Sequence, residues 1–469
     1  MKNESKNKKV VLVFPPLIFG KKKNFGYPPL GILYIATFLQ KNGIAVKVID
    51  SSMEGHTLEE LTEIILEERP YIVGFSAMSC QISTVLDVAA ELKKHHSSLK
   101  IVVGGPHISS SREELFDFSK DIDFLIYGEG EKSFYQLVSG QPLEKIDGLI
   151  YKKDGKITVN NPPQLIQDLD NLPFPDLELL DLQRYDSYFA KSLPLASLMA
   201  SRGCPYNCIF CDAHSTHGKI LRLRTPQNVV DEIEHNYQKY GIKQFMFKDS
   251  DLTLNKKWAQ EICSEIRRRN IKINWTCNTR VDLVDEELLR AMKKSGCYVV
   301  SFGIESGSQK VLDALRKGIT IEQIKKAISL CRKVGIEAMG YFMIGNPAET
   351  EVEARKTIRF SQKLGLDFAT FGTTAAYPGT EIYNWAVEND ALSDRFWYMN
   401  PPLMSYDGRE VSGNLNLKNF PPEKQAKLVK EANRGFYLRP SYLLKRALKI
   451  KTFYDVKRTI KSFYILIRS

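Results

Sequence analysis

The chain has 469 residues, 43% of them apolar and 26% charged, enough to build the cores of two or three ordinary domains and too apolar for a disordered chain. Its net charge of +11 sits at the ends: residues 1–9 carry +3 and residues 439–469 carry +8, while the body between holds 53 basic and 53 acidic side chains. A neutral body gives no electrostatic reason to expect nucleic acid, no stretch approaches the roughly 18–20 apolar residues of a membrane span, and the lysine-rich start lacks a signal-type apolar core, so the cytosol is the expected location.

The first 150 residues alternate short apolar runs with amphipathic segments. Val10–Phe14, Val46–Asp50, Ile72–Ser76, Ile101–Val103 and Phe124–Tyr127 read as buried strands, rich in branched and aromatic residues and ended by turn formers. Between them, Leu30–Lys41, Leu58–Glu68, Ser83–Lys94 and Glu131–Val138 place apolar residues three and four apart, the spacing of a helix face. The pattern predicts an α/β domain over residues 1–150, an open parallel sheet that takes its ligand at the carboxyl ends of the strands. Residues 151–192 read as a linker, with Asn161-Pro162-Pro163 and Leu172-Pro173-Phe174-Pro175 favouring an extended wrap over a domain surface.

From 193 to 390 the alternation resumes on a larger scale. Strands near Leu198–Ser201, Gln244–Lys248, Ile273–Asn278, Tyr298–Ile304, Ala338–Met343 and Phe368–Thr374 predict a partial (β/α)6 barrel with its catalytic face at the strand carboxyl ends. Residues 391–469 form a helical C-terminal region, with helices expected over Pro421–Gly435 and Ser441–Ile467. In the second, Val456, Ile460, Phe463, Tyr464 and Ile467 make one apolar stripe among Lys457, Arg458, Lys461 and Arg468. Such a helix packs on the barrel, lies on an anionic membrane surface, or meets a nucleic-acid or protein partner.

Of the eight cysteines, Cys80, Cys263, Cys277, Cys297 and Cys331 stand singly in apolar segments, where a cysteine behaves as a small core residue. The other three fall together in Ser201-Arg202-Gly203-Cys204-Pro205-Tyr206-Asn207-Cys208-Ile209-Phe210-Cys211, directly after a predicted strand. Three thiolates at this spacing wrap a [4Fe–4S] cubane and leave its fourth iron open to a small chelating ligand. A structural zinc site is the rival reading, with His214 or His217 as fourth ligand.

The three-cysteine motif, with aromatic Phe210 before its last cysteine and a six-unit αβ array around it, resembles the signature of the radical S-adenosylmethionine superfamily. That resemblance implies that Cys204, Cys208 and Cys211 hold the cluster, that the open iron takes the amine and carboxylate of S-adenosylmethionine, and that reductive cleavage yields a 5′-deoxyadenosyl radical. It also implies contacts to S-adenosylmethionine from successive strand ends. Phe247-Lys248-Asp249-Ser250-Asp251 is similar to the family's acidic stretch, pointing to Asp249. Asn278-Thr279-Arg280 offers Arg280, and Gly303-Ile304-Glu305-Ser306-Gly307-Ser308 offers Glu305 and Ser306. Gly345-Asn346-Pro347 offers Gly345 as a close approach to the adenine, and Phe210 completes the set. Each of these alone reads equally as a helix cap or an ion-pair partner.

The first domain lacks both a Gly-x-Gly-x-x-Gly turn and a phosphate-binding Gly-x-x-x-x-Gly-Lys loop. Small residues stand instead at three neighbouring strand ends: Gly74-Phe75-Ser76-Ala77-Met78, Gly104-Gly105-Pro106-His107 and Gly128-Glu129-Gly130-Glu131. The arrangement resembles the flavodoxin-like, Rossmann-like cobalamin-binding domain, which implies that Ser76, Gly104, Gly105, Gly128 and Glu129 surround cobalamin. It departs from the mutase and methionine synthase pattern, because Pro15-Pro16-Leu17-Ile18-Phe19-Gly20 replaces the cobalt-ligating histidine loop and no histidine precedes His56. His107 could approach the corrin or cap the next helix. Tyr27-Pro28-Pro29-Leu30-Gly31 is similar to the first-loop segment of the cobalamin-binding radical S-adenosylmethionine enzymes.

The combined resemblance, over about residues 9–390, is to the group that includes the anaerobic magnesium-protoporphyrin monomethyl ester cyclase and the methylases of unactivated carbon. It implies a methyltransferase or cyclase acting on a small-molecule or lipid-like substrate, with a flavodoxin or ferredoxin as electron donor; peripheral membrane contact is an expectation from the amphipathic basic tail alone. Methylthiolation of transfer RNA needs three further cysteines in the first domain, where only Cys80 stands. A cobalamin or redox sensor has no use for an open iron.

Overall fold

The computed structural model describes residues 9–23, 25–400 and 414–448. Its first sheet contains β1 (Lys9–Phe14), β2 (Ala45–Asp50), β3 (Ile72–Ser76), β4 (Lys100–Gly104), β5 (Phe124–Ile126), β6 (Leu149–Lys153) and β7 (Lys156–Val159), in the order β2-β1-β3-β4-β5-β6-β7. The first five are parallel. Side-chain parity explains the double covering. Val11 and Val13 point into one core with Leu61, Ile65, Val85 and Val88, while Val10 and Leu12 point into the other with Ile32, Ala36, Leu39 and Phe134. The strand order reverses between β1 and β3, and in such sheets that is where a ligand crevice opens.

The sheet runs past residue 150. β6 and β7 add to its edge antiparallel, so the expected linker begins as a hairpin and only the chain beyond Val159 is extended, with short 3-10 turns at Leu169–Asn171, Leu177–Leu179 and Leu182–Arg184. The prolines that suggested a linker all lie beyond this hairpin.

The second sheet contains β8 (Leu195–Leu198), β11 (Gln244–Phe247), β12 (Asn274–Thr279), β13 (Cys297–Glu305), β14 (Glu337–Ile344) and β15 (Phe368–Thr373), in the order β15-β14-β13-β12-β11-β8. Every pair is parallel, as a partial (β/α)6 barrel requires. The first strand ends three residues earlier than the sequence suggests, because β9 (Ser201–Arg202) leaves it to pair with β10 (Arg222–Leu223). Outward residues such as Ala196, Phe245, Trp275, Cys277, Phe302 and Ile304 pack under the helices in one core. Cys263, Cys277, Cys297 and Cys331 are buried in that same core, and Cys80 is buried in the first domain. The helix Pro422–Tyr437 closes the barrel beside β15, with Leu428, Val429 and Phe436 in the core. Trp397 and Tyr398 pack instead on the first domain. The stripe Val456–Ile467 lies outside the described residues.

Candidate active site at the domain interface

The cysteine loop hangs between β9 and β10. At its start Gly203 adopts φ +90°, and a Cβ there would lie 2.1 Å from the Ile220 carbonyl oxygen, so only glycine lets the chain leave β9 at this angle. The Cys204 amide donates to Gly218 O at 3.3 Å, the Ile209 amide to Leu315 O at 3.2 Å, and the Ile382 amide to Ile209 O at 3.0 Å. These bonds pin the loop from three sides. Cys204 is buried, and Cys208, Phe210 and Cys211 are half-buried. Burial pushes the Cys204 thiol up to about 11 and raises those of Cys208 and Cys211, so loading a metal there releases protons.

A [4Fe–4S] cubane takes thiolates at separate corners, and the loop offers three, from Cys204, Cys208 and Cys211. His217, one candidate fourth zinc ligand, turns its Nδ1 to Glu129 at 3.2 Å. The donor set fits an iron–sulfur cubane.

Charged groups from three further strand ends surround the loop. The Cys204 thiol donates to Asp251 Oδ2 at 3.7 Å, and burial pushes that carboxyl up to about 6 against the pull of Lys317 and Arg280. Arg280 follows β12, donates to Asp282 at 3.0 and 3.1 Å, and lies 3.7 Å over the Tyr206 ring. Its Nη1 is buried with no hydrogen-bond partner. Lys317 Nζ donates to Glu305 Oε1 at 2.9 Å and stands 5.7 Å from the Phe210 ring centre. Burial alone would lower the Lys317 pKa, but Glu305 raises it above its ordinary value. Glu305 itself holds φ +64° at a register shift of β13, a strained conformation typical of functional sites.

Four expected contacts are turned elsewhere. Asp249 faces into the fold, accepting from Ser201 Oγ at 2.5 Å and from the Ala200 amide at 3.2 Å; Asp251, two residues on, takes the place by the cluster loop. Ser306 Oγ bonds Thr357 Oγ1 at 2.9 Å and accepts from the Ser308 amide at 3.1 Å, which shapes the turn before the helix Gln309–Ala314. Gly345 is needed for a different neighbour: a Cβ there would lie 2.1 Å from Gln425 Oε1, so its close approach is to the C-terminal helix. Glu129 is the fourth. It lines the first-domain crevice, but both oxygens are taken, by Arg222 at 2.7 and 2.9 Å and by the Ile166 amide at 2.9 Å. Burial alone would raise its pKa, yet His217 and Arg222 hold the carboxyl well below the usual range.

Glu129 belongs to an ionic clasp between the domains. Arg202, the residue before Gly203, donates to Glu131 Oε1 at 2.5 Å and approaches Glu129 at 3.4 Å, while Arg222 on the paired strand grips Glu129. None of the four is more than 4% exposed. The strand pair that carries the cysteine loop is thus fastened to the carboxyl end of the first sheet.

A cavity of about 460 Å³ lies between the two sheets, walled by Ser76, Gly104, Gly105 and Gly128 at the ends of the first-domain strands, by Phe25, Tyr27, Pro28 and Pro29 of the first loop, and by Ser197, Met199 and Lys248 of the barrel. Pro163 of the extended chain lies across Gly128. His107 does not reach the cavity wall: it is buried, bonded to Ser79 Oγ at 3.0 Å and packed 4.6 Å from the Tyr398 ring, and burial pulls it down to about 3. The walls fit a large flat cofactor over the switch point of the sheet, with no histidine from that loop beneath it. Arg202, Glu131, Lys317 and Lys248 escaped the sequence reading, because their partners or surroundings come from distant segments; only the acidic alternation of Asp249 and Asp251 offered a signal.

Comparison with known proteins agrees with this geometry. Residues 198–361 match the Radical SAM superfamily model and residues 18–138 the B12 binding domain model. An uncharacterized methyltransferase of Pyrococcus horikoshii is 36% identical over 97% of both chains. The anaerobic magnesium-protoporphyrin IX monomethyl ester cyclase of Rubrivivax gelatinosus is 28% identical over 92% of this chain and 81% of its own. Among solved structures, the radical S-adenosylmethionine methyltransferase TsrM of Kitasatospora setae, with cobalamin and a [4Fe–4S] cluster bound, superposes with a TM-score of 0.67 at 21% identity, covering 82% of this chain and 76% of that one. At that identity the likeness speaks for the fold.

Proposed function

Because the chain belongs to the radical SAM superfamily and carries a B12 binding domain before its radical SAM domain, we propose that it methylates an unactivated carbon of a small molecule held between the two domains. It is a radical SAM enzyme of the methyltransferase and cyclase group, and its cofactors are a [4Fe–4S] cluster, S-adenosylmethionine and cobalamin. When bound, the cluster and S-adenosylmethionine supply radical initiation and cobalamin supplies a methyl group. Everything else falls to the protein. Cys204, Cys208 and Cys211 hold three irons. Arg280, with its unpaired buried Nη1, and Lys317 offer cationic donors to the carboxylate of S-adenosylmethionine, and Asp251 takes its ammonium. Tyr206 and Asp282 keep the Arg280 guanidinium flat and aimed. The first-domain crevice holds cobalamin along Ser76, Gly104, Gly105 and Gly128, and Tyr27, Pro28 and Pro29 cover it.

The observation that carries the reading is the shared cavity: the end of the first sheet and Ser197, Met199 and Lys248 of the barrel line the same space, so a substrate on its barrel side lies between the cobalamin crevice and the barrel interior. A flavodoxin or ferredoxin serves as electron donor. The test is product analysis on the anaerobically reconstituted holoenzyme with S-adenosylmethionine, hydroxocobalamin and reductant. Wild type should form both 5′-deoxyadenosine and S-adenosylhomocysteine, and Cys208→Ala should lose the first. Formation of 5′-deoxyadenosine alone would overturn methyl transfer and favour the cyclase-type reaction suggested by the relative from Rubrivivax.

A further inference from the structure

Lys248 follows β11 and points into the interdomain cavity. Its ammonium stands 4.0 Å over the ring of Tyr27, whose hydroxyl is bonded to Ser187 Oγ. No carboxylate reaches it among the described residues: it appears in no ion pair, and burial is what displaces its pKa, pulling it down to about 8. A cation desolvated in this way is costly unless a ligand supplies the missing charge. The ring of Tyr27 answers only part of the need, since a ring face carries no net charge.

Register places further unused donors on the same face. Ser197 pairs with Met246 and Met246 with Thr276, so these three stand in one row across β8, β11 and β12. Lys248 lies two residues beyond Met246, on the same side of the sheet. The hydroxyl oxygens of Ser197 and Thr276 are buried without hydrogen-bond partners. Ser197 lines the cavity together with Lys248. One uncompensated cation and one idle hydroxyl on the cavity wall, with the Thr276 hydroxyl idle further along the same face, form a donor-rich, acceptor-poor patch. Arg280 and Lys317, by contrast, already have Asp282 and Glu305 and stand by the cysteine loop.

We propose that Lys248, with Ser197, is the anion subsite for the substrate, and that the molecule acted on carries a carboxylate or a phosphoryl group which it presents to this wall. The assignment rests on the proposed function, because it takes the cavity as the substrate chamber. The ammonium provides the charge and fixes the end of the molecule; the Ser197 hydroxyl donates to a remaining oxygen; the Tyr27 ring keeps the ammonium on the first-domain side. A carbon a few bonds from the anion then lies between the sheet end and the barrel interior. Lys248 is in this account a specificity residue, choosing which molecules enter and which of their carbons is presented.

The test uses the reconstituted holoenzyme with S-adenosylhomocysteine added to occupy the cluster-side cations. Inorganic phosphate and, separately, acetate are titrated at constant ionic strength made up with sodium chloride, and binding is followed by calorimetry and by the absorbance of bound cobalamin. Wild type is expected to bind at least one of the two saturably, phosphate alone marking a phosphoryl substrate and acetate a carboxylate. Lys248→Met should weaken that binding at least tenfold, and Lys248→Arg should restore most of it. Equal binding by wild type and Lys248→Met, or no saturable binding by wild type, overturns the subsite. Iron and cobalt contents measured on the same samples separate this failure from that of the underlying reading: full metal occupancy without anion binding rejects the subsite alone, whereas absence of cobalt rejects the chamber as well.

Discussion

The carboxylates of Asp249 and Asp251 leave β11 two residues apart, yet one accepts from Ser201 and Ala200 inside the fold and the other from the Cys204 thiol. Substitution should separate them. Asp249→Ala strands a buried hydroxyl and a buried amide and should lower stability by about 1–3 kcal/mol in urea. Asp251→Asn should unfold at the wild-type midpoint while weakening S-adenosylmethionine binding. Arg280→Met removes the unpaired guanidinium nitrogen. If that nitrogen meets the S-adenosylmethionine carboxylate, calorimetry should show binding weakened about tenfold or more, the worth of one hydrogen bond to a charged group; unchanged affinity would remove Arg280 from the site. A third carboxyl gives a pH effect. Glu349 accepts from the Gly345 and Asn346 amides, its Oε1 has no partner, and burial pushes it up to about 7 from an ordinary 4.5. A carboxyl raised on folding favours the native state at low pH, and that advantage is lost as pH rises from about 4.5 to about 7. The loss is about 3 kcal/mol. Glu349→Gln should flatten the stability profile across this window, as chemical denaturation at pH 5 and pH 8 would reveal.

At the scale of elements, apolar periodicity carried most of the information. The five parallel strands of the first sheet and five of the six in the barrel stand where runs such as Val10–Phe14 and Tyr298–Ile304 place them, because a strand covered on both sides must be apolar throughout; the first barrel strand, Leu195–Leu198, lies three residues before its expected place. Two features escaped for physical reasons. The second strand of the edge hairpin β6–β7 is exposed at three of its four positions, which weakens its apolar signature. The clasp was illegible because ion pairing leaves no local trace: Arg202 and Glu131 are 71 residues apart, Arg222 and Glu129 are 93 apart. Site glycines and carboxylates were the least legible class, since Gly345 and Asp249 have the residue types a ligand needs but spend them on Gln425 and Ser201. The clasp has a measurable consequence. Arg222→Met leaves Glu129 buried with its strongest partner gone and should cost about 3–5 kcal/mol, whereas Arg222→Met with Glu129→Leu should recover much of that loss. Iron retained after desalting should fall in the single variant and return in the double, because the cysteine loop hangs from the strand that Arg222 holds. Iron retention unchanged in Arg222→Met would show that the loop positions itself without the first domain.

In the whole molecule, two sheets present their carboxyl ends to one cavity and a shared set of buried charges keeps them in register. The other end of the barrel bears a different surface. On the helix Pro440–Ala447, Lys445 and Arg446 are tied to Asp367 and Glu337, leaving Leu443 and Leu444 exposed just before the basic residues 449–469. A chain ending at residue 448 should therefore co-sediment less with anionic liposomes than the full chain, and equal co-sedimentation would remove the membrane from the account. The central claim is that the two domains load two different metallocofactors side by side. Its most direct measurement is a metal count on protein reconstituted anaerobically with iron, sulfide and hydroxocobalamin and then desalted. The expected result is about four irons and one cobalt per chain, with the iron lost and the cobalt kept in a variant carrying Cys204→Ala, Cys208→Ala and Cys211→Ala. Iron without cobalt in the wild type would contradict the account, leaving the first domain without its cofactor and the cavity without a methyl donor.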